Sequence, residues 1–218
     1  MLEIIASFIK QAIIQGIPLL YGSTGEILTE KSGNLNLGIP GIMYIGGISG
    51  VIGAYFYEKS VVDINPFLCV MIPLLCSILG SVLMALIYCF LTVTLRANQN
   101  VTGLAMTTFG VGLMKVIMAK MDDTVYLVGP KQLYRWPFAG RTDALQYLGV
   151  MFFLAVIIAL AASYVLFRTK VGLHLRAVGE SPATADAMGV NVSRYKYCAS
   201  CIGCGVAGLG GFYYIIDY

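Results

Sequence analysis

The chain has 218 residues, 58% of them hydrophobic and 11% charged, with a mean hydropathy of +0.82. Soluble domains carry roughly 25% charged residues, so a water-soluble globule is excluded and the bilayer is the expected solvent. The net charge of +3 is small and dispersed, without the basic face that nucleic-acid binding needs.

A membrane span needs about 20 mainly apolar residues. Charge-poor runs place six spans, at 12–28, 39–56, 67–95, 101–118, 147–167 and 197–216, so the expected fold is an all-α integral membrane protein. The third run is long enough to tilt or to extend beyond the bilayer. Residues 1–10 bring Leu2, Ile5 and Ile9 roughly to one side and are expected to lie in the interface ahead of the first span. The start of the chain lacks a basic region followed by a small-residue cleavage site, so no removable signal peptide is expected.

Near the end of the first span, Glu26 is expected to reach the membrane interface beside Glu30 and Lys31, with a functional carboxylate at membrane depth as the alternative. Next comes Asn34-Leu35-Asn36-Leu37-Gly38-Ile39-Pro40-Gly41. Gly and Pro interrupt a helix there, and two amides stand at the membrane surface. Broken backbone at membrane depth survives only where it is buried in protein or lines a cavity, so this stretch is a candidate for the wall of a pathway, with an ordinary loop as the alternative. Gly46-x-x-x-Gly50 in the second span reads as tight helix packing, and Lys115 in the fourth as a side chain reaching back to the surface.

The loop at 168–196 carries the densest basic cluster, Arg168, Lys170, Arg176, Arg194 and Lys196. Across the whole chain the two sides hold seven and six basic residues, too even a count to orient it, but this cluster favours an inside loop. Within Gly179-Glu180-Ser181-Pro182-Ala183-Thr184-Ala185-Asp186-Ala187-Met188-Gly189, Ser181 suits an N-cap, Pro182 the first helical position and Gly189 the left-handed C′ position. About two turns of helix fit between them. A helix so short is marginal alone in water, and its alanines suit close docking on a soluble partner subunit.

In the last span Cys198, Cys201 and Cys204 form C-x-x-C-x-x-C, but they sit on a glycine-rich apolar helix and read as small packing residues rather than cluster ligands. With Cys69, Cys76 and Cys89 they all lie in apolar segments, which argues against a secreted disulfide framework. His174 is the single histidine, so a two-histidine metal motif cannot form within one chain, and neither a metal nor another cofactor is expected. The nearest approach to a phosphate-binding loop, GEILTEKS at 25–32, has Glu30 where the second glycine belongs. The chain is therefore expected to be non-catalytic and not to hydrolyse ATP itself.

Three stretches together resemble ABC importer permeases of the branched-chain amino acid and simple sugar group, most closely the nucleoside and simple-sugar permeases. They are GEILTEKSGNLNLGIPGIM at 25–43, ANQNVTGLAMTTFGVGL at 97–113 and residues 169–211. The resemblance implies a single transmembrane permease domain in the plasma membrane of a prokaryote, with the N-terminus outside. Between spans five and six it implies a cytoplasmic coupling helix carried by Glu180, Ser181, Pro182, Ala183, Ala187 and Gly189. It places Asn34, Asn36, Gly38, Gly41, Asn98, Gln99 and Asn100 near the translocation path. Implied partners are cytoplasmic ABC ATPases, a second identical or homologous permease, an extracellular or lipid-anchored substrate-binding protein and membrane lipid, but no nucleic acid. Many relatives carry an acidic residue where Pro40 stands. Family chains also continue with further spans, which implies that this chain corresponds to part of a longer one. The competing class is a self-contained channel or secondary transporter, which often shows inverted repeats and paired broken helices; only one clear break is visible here, near Gly38 to Gly41.

Overall fold

The computed structural model describes residues 2–60, 65–120 and 149–217, and the regular structure among them is helical throughout. The elements are α1 (Leu2–Glu30), α2 (Ile39–Ser60), α3 (Pro66–Cys89) with a π-helical turn at Phe90–Thr94, α4 (Gln99–Met118), α5 (Val150–Arg168), α6 (Lys170–Glu180), α7 (Pro182–Ala187) and α8 (Val192–Asp217). Five helical stretches are long and apolar enough to cross a membrane: Ile39–Ser60, Phe67–Thr94, Gln99–Met118, Val150–Arg168 and Val192–Ile215. The protein is thus a multi-pass membrane protein. The fifth predicted span was to begin at 147, and its first two residues lie outside those described.

The helix starts follow local chemistry. Asn65 accepts from the Phe67 amide at 3.1 Å, with Pro66 in the first helical position of α3; Asn98 caps α4 by accepting from Asn100 and Val101; Asn191 accepts from Arg194 at the start of α8. Each supplies an acceptor to amides that a helix leaves unpaired at its N-terminus.

The N-terminal residues differ from expectation. They do not form a separate interfacial segment: α1 runs unbroken from Leu2 to Glu30 with Pro18 inside it. The run at 12–28 is less apolar than the other predicted spans because Gly16, Gly22, Ser23, Thr24, Gly25 and Glu26 dilute it. What holds α1 in place is packing, chiefly against α8.

The centre of the molecule is α8, which packs on α1, α2 and α3. On one side Tyr21, Val51, Met151, Leu209 and Phe212 form a buried cluster, and the Tyr21 hydroxyl donates to the Met151 carbonyl at 2.7 Å, tying α1 to α5. On the other, Ile42, Ile45, Tyr88, Met106 and Ala207 join α2, α3, α4 and α8. Apolar burial does not separate protein from lipid, so close backbone contact must supply specificity. At the α1–α8 crossing Gly25 faces Gly203, and a Cβ on either would overlap the other's carbonyl oxygen. Gly112, by contrast, faces open space.

Gly203→Val should therefore force α1 away from α8, at a cost of about 1–3 kcal/mol or more. Gly112→Ala should be neutral or stabilising by up to about 1 kcal/mol. Denaturant unfolding of the detergent-solubilised protein checks the pair: equal midpoints for the two variants would remove the close-contact account of this crossing.

Candidate functional site

Between α1 and α2 the chain abandons helix for residues 31–38, a stretch that is partly buried and partly exposed. Side chains alternate along this stretch as they do in a strand. Ser32, Asn34 and Asn36 are buried, and Leu35 and Leu37 are exposed. Extended backbone in a water-poor setting must find partners for its amides and carbonyls.

The amides of residues 31–34 bond back to carbonyls at the end of α1, and the next backbone groups are met by side chains of α1, α3 and α4, while α8 holds the side chains of Asn34 and Asn36. Gln99 of α4 is bidentate, its Oε1 accepting from the Leu35 amide at 2.9 Å and its Nε2 donating to the Gly33 carbonyl at 3.3 Å. Tyr88 of α3, fully buried, donates to the Leu35 carbonyl at 2.7 Å. Thr107 of α4 donates to the Leu37 carbonyl at 2.9 Å. Glu26 of α1 accepts from the Asn36 amide at 3.3 Å, and Asn36 Oδ1 caps the Gly38 amide at 2.9 Å. From α8, Ser200 accepts from Asn34 Nδ2 at 3.2 Å and Cys204 from Asn36 Nδ2 at 3.5 Å. Glu26 was expected at the interface. It points inward instead, because α1 stays helical to Glu30 and carries the carboxylate beside the Asn36 amide. Glu26 Oε2 and Asn34 Oδ1 are buried without a partner among the described residues.

Of the seven residues expected near a pathway, the structure gathers Asn34, Asn36, Gly38, Gly41 and Gln99 around this segment. Gly38 packs on Gly103 and Met106, and a Cβ on Gly41 would lie 2.5 Å from Thr107 Cα. Asn98 and Asn100 remain exposed at the start of α4. Tyr88, Thr107 and Ser200 were not singled out in the sequence, where each reads as one more residue of an apolar helix, and Cys204 was read there as a small packing residue. The π turn at Phe90–Thr94, which begins two residues beyond Tyr88, was not foreseen either. It leads into Arg96, which holds a left-handed φ of +54°.

The second feature is the loop between α5 and α8. The sequence placed one short helix here; the structure has two. The missed helix, α6, begins where Thr169 accepts from the Gly172 amide at 3.2 Å, and it buries Leu175 and Val178. Val171, Leu175 and Val178 stand at i, i+4 and i+7, a signal diluted by Gly172 and Gly179. The expected helix is α7, with Pro182 at its first position and Gly189 at φ +81° just past its end. It tucks Ala185 inward and leaves Glu180, Ser181, Pro182, Ala183, Ala187 and Gly189 exposed, with Met188 80% exposed beside them. The Ser181 cap differs from expectation: its hydroxyl bonds Thr184 Oγ1 at 2.7 Å and makes no bond to a backbone amide.

The two features touch. Gly33, at φ +81°, lies against Gly179 at the end of α6, and a Cβ added to Gly179 would overlap the Lys31 carbonyl oxygen. Displacement of the α6–α7 corner thus meets the head of the buried segment, which Gln99 joins to α4.

Residues 8–218 match the family described as branched-chain amino acid transport system / permease component. The chain is 30% identical to a guanosine ABC transporter permease protein of Bacillus subtilis, over 97% of this chain and 68% of that protein. It is 31% identical to a nucleoside ABC transporter permease protein of Lactococcus lactis, over 94% and 66%. It is 30% identical to a putative glucose ABC transporter permease protein of Haloferax volcanii, over 94% and 61%. The chain spans about two thirds of the length of these relatives. No solved structure matches it significantly.

Leaving a buried donor or acceptor without its partner costs about 1–3 kcal/mol. Gln99→Leu strands two backbone groups and Tyr88→Phe one, so both should lower the unfolding midpoint, Gln99→Leu by more. Asn98→Ala should cost only the ~1 kcal/mol of a helix cap. Wild-type midpoints for the first two would show that the segment does not depend on these bonds.

Proposed function

Because the chain belongs to the branched-chain amino acid transport system / permease component family, we propose that it forms the membrane-embedded pore subunit of an ATP-binding-cassette importer for nucleosides or related sugar-containing solutes. The relatives' names supply the solute class. In this reading residues 1–218 act as one permease domain, paired with a second identical or homologous permease, served by cytoplasmic ATPases and fed by an extracellular or lipid-anchored binding protein. The α6–α7 loop faces the cytoplasm and the N-terminus lies outside.

The observation that carries the mechanism is α7 itself. Six helical residues with one buried side chain cannot be stable alone in water, yet here they stand proud of the membrane helices with small side chains outward. That is the shape of a peg for a groove in another protein. ATP-driven movement of the groove displaces α7; α6 carries the displacement to Gly179; Gly179 bears on Lys31 and Gly33; Gln99 passes it to α4. The solute path runs beside residues 31–38, whose wall is shaped by Asn34, Asn36, Gly38, Gly41, Asn98, Gln99 and Asn100. The buried amides of Asn34 and Asn36 hold that wall in shape, so their contribution to transport is positional.

Ala187→Arg, alone or with Ala183→Arg, should abolish solute-dependent ATP hydrolysis in the complete transporter while leaving membrane insertion intact. An arginine on an exposed helix face does not disturb the fold, but in a docked groove overpacking costs about 1–3 kcal/mol, or roughly 5- to 150-fold in docking affinity. Ser181→Ala should do little, because its hydroxyl holds no backbone amide. The measurement is ATPase co-purification and solute-stimulated hydrolysis for both variants side by side. An arginine variant that binds and stimulates the ATPase like wild type would remove α7 as the docking element.

A further inference from the structure

An apolar cleft of about 590 Å³ opens between α5, α6 and α8. Its walls are Ile158, Ala162 and Val165 from α5 and Cys198, Ile202 and Val206 from α8. At one end it closes on Tyr195 and Arg194, where a hydrogen bond of 3.0 Å between the Tyr195 hydroxyl and His174 Nδ1 fixes the ring.

We propose that this cleft is a binding site for one anionic phospholipid, with an acyl chain between α5 and α8 and the headgroup phosphate at Arg194. The length of the cleft suits a single acyl chain. From Arg194 to Val206 is 12 residues of α8, about 18 Å at 1.5 Å per residue. That is close to one leaflet of a hydrocarbon core about 30 Å thick, which a spanning helix must cross completely. Lining decides against a polar solute, since Arg194 carries the charge in a wall that is otherwise almost wholly apolar.

Charge selects the headgroup. Arg194 is exposed and has no ion-pair partner among the described residues, and it stands in the first turn of α8, where the helix end itself favours an anion. Arg168 ends α5, Lys170 and Arg176 lie in α6 and Lys196 follows in α8. The Arg176 guanidinium lies 5.4 Å from the centroid of the Phe167 ring, and its Nε is buried without a partner. Beside them Val171 and Leu173 of α6 are each 57% exposed, the pattern of a helix resting in a membrane interface. Basic pockets between spans at that depth suit anionic headgroups.

Cys198 provides the readout, because it lines the cleft and is the exposed cysteine of the six. The complete transporter is placed in nanodiscs of phosphatidylglycerol or of phosphatidylcholine, and the rate of Cys198 modification by a membrane-permeant maleimide is followed by mass spectrometry. Phosphatidylglycerol should slow the reaction about tenfold relative to phosphatidylcholine, the factor expected for one charge-assisted contact. Arg194→Gln should erase that difference. Ala162→Phe, which fills the cleft, should lower lipid retention for both headgroups in native mass spectrometry. Inorganic phosphate added to phosphatidylcholine discs should not slow the reaction. The proposal is overturned if the headgroup difference persists in Arg194→Gln or if free phosphate reproduces it. It is also overturned if Cys198 is unreactive in every lipid and in detergent, which would mean that protein covers the cleft.

Discussion

Unpaired backbone has no solvent to fall back on inside a membrane protein. Everything distinctive about this one follows from how residues 31–38 meet that constraint. Elsewhere each helix satisfies its own amides and carbonyls. Here α1, α3, α4 and α8 all lend side chains to a non-helical segment, and none of them could move far without breaking a bond to it. Glu26, Tyr88, Gln99 and Thr107 therefore hold the fold together through their polar groups.

In the proposed function the same constraint makes the segment a mechanical part. A helix of many mutually supporting bonds transmits displacement as a rigid rod. A non-helical segment held by a handful of side chains from several rods is where those rods can be re-registered at modest cost. Its upstream end abuts the α6–α7 corner through Gly33 and Gly179, and its downstream end begins α2 at Ile39. A soluble subunit engaging α7 would thus address α2 and α4 without entering the membrane.

Much of the fold was legible in the sequence because a bilayer imposes a length and a composition that charge-free runs reveal directly. The short helix of the loop was equally legible: Pro182 and Gly189 act through φ alone, a local property. What failed was also physical. Tyr88 meets Leu35 across 53 positions and Cys204 meets Asn36 across 168, so no local pattern records those bonds. Glu26 was misplaced because a carboxylate near a helix end reads as surface-bound unless the acceptor's partner, the Asn36 amide, is known. Helix α6 was missed because two glycines hid its apolar face, and they are there for the close approach to α5 and to residues 31–33.

The central claim is that residues 31–38 are held backbone rather than loop. The direct measurement is hydrogen–deuterium exchange of the assembled transporter in lipid. The account predicts that the Leu35, Asn36 and Gly38 amides exchange as slowly as the cores of α2 and α8, and that Gln99→Leu releases the Leu35 amide. Exchange at all three as fast as in an exposed loop would contradict it.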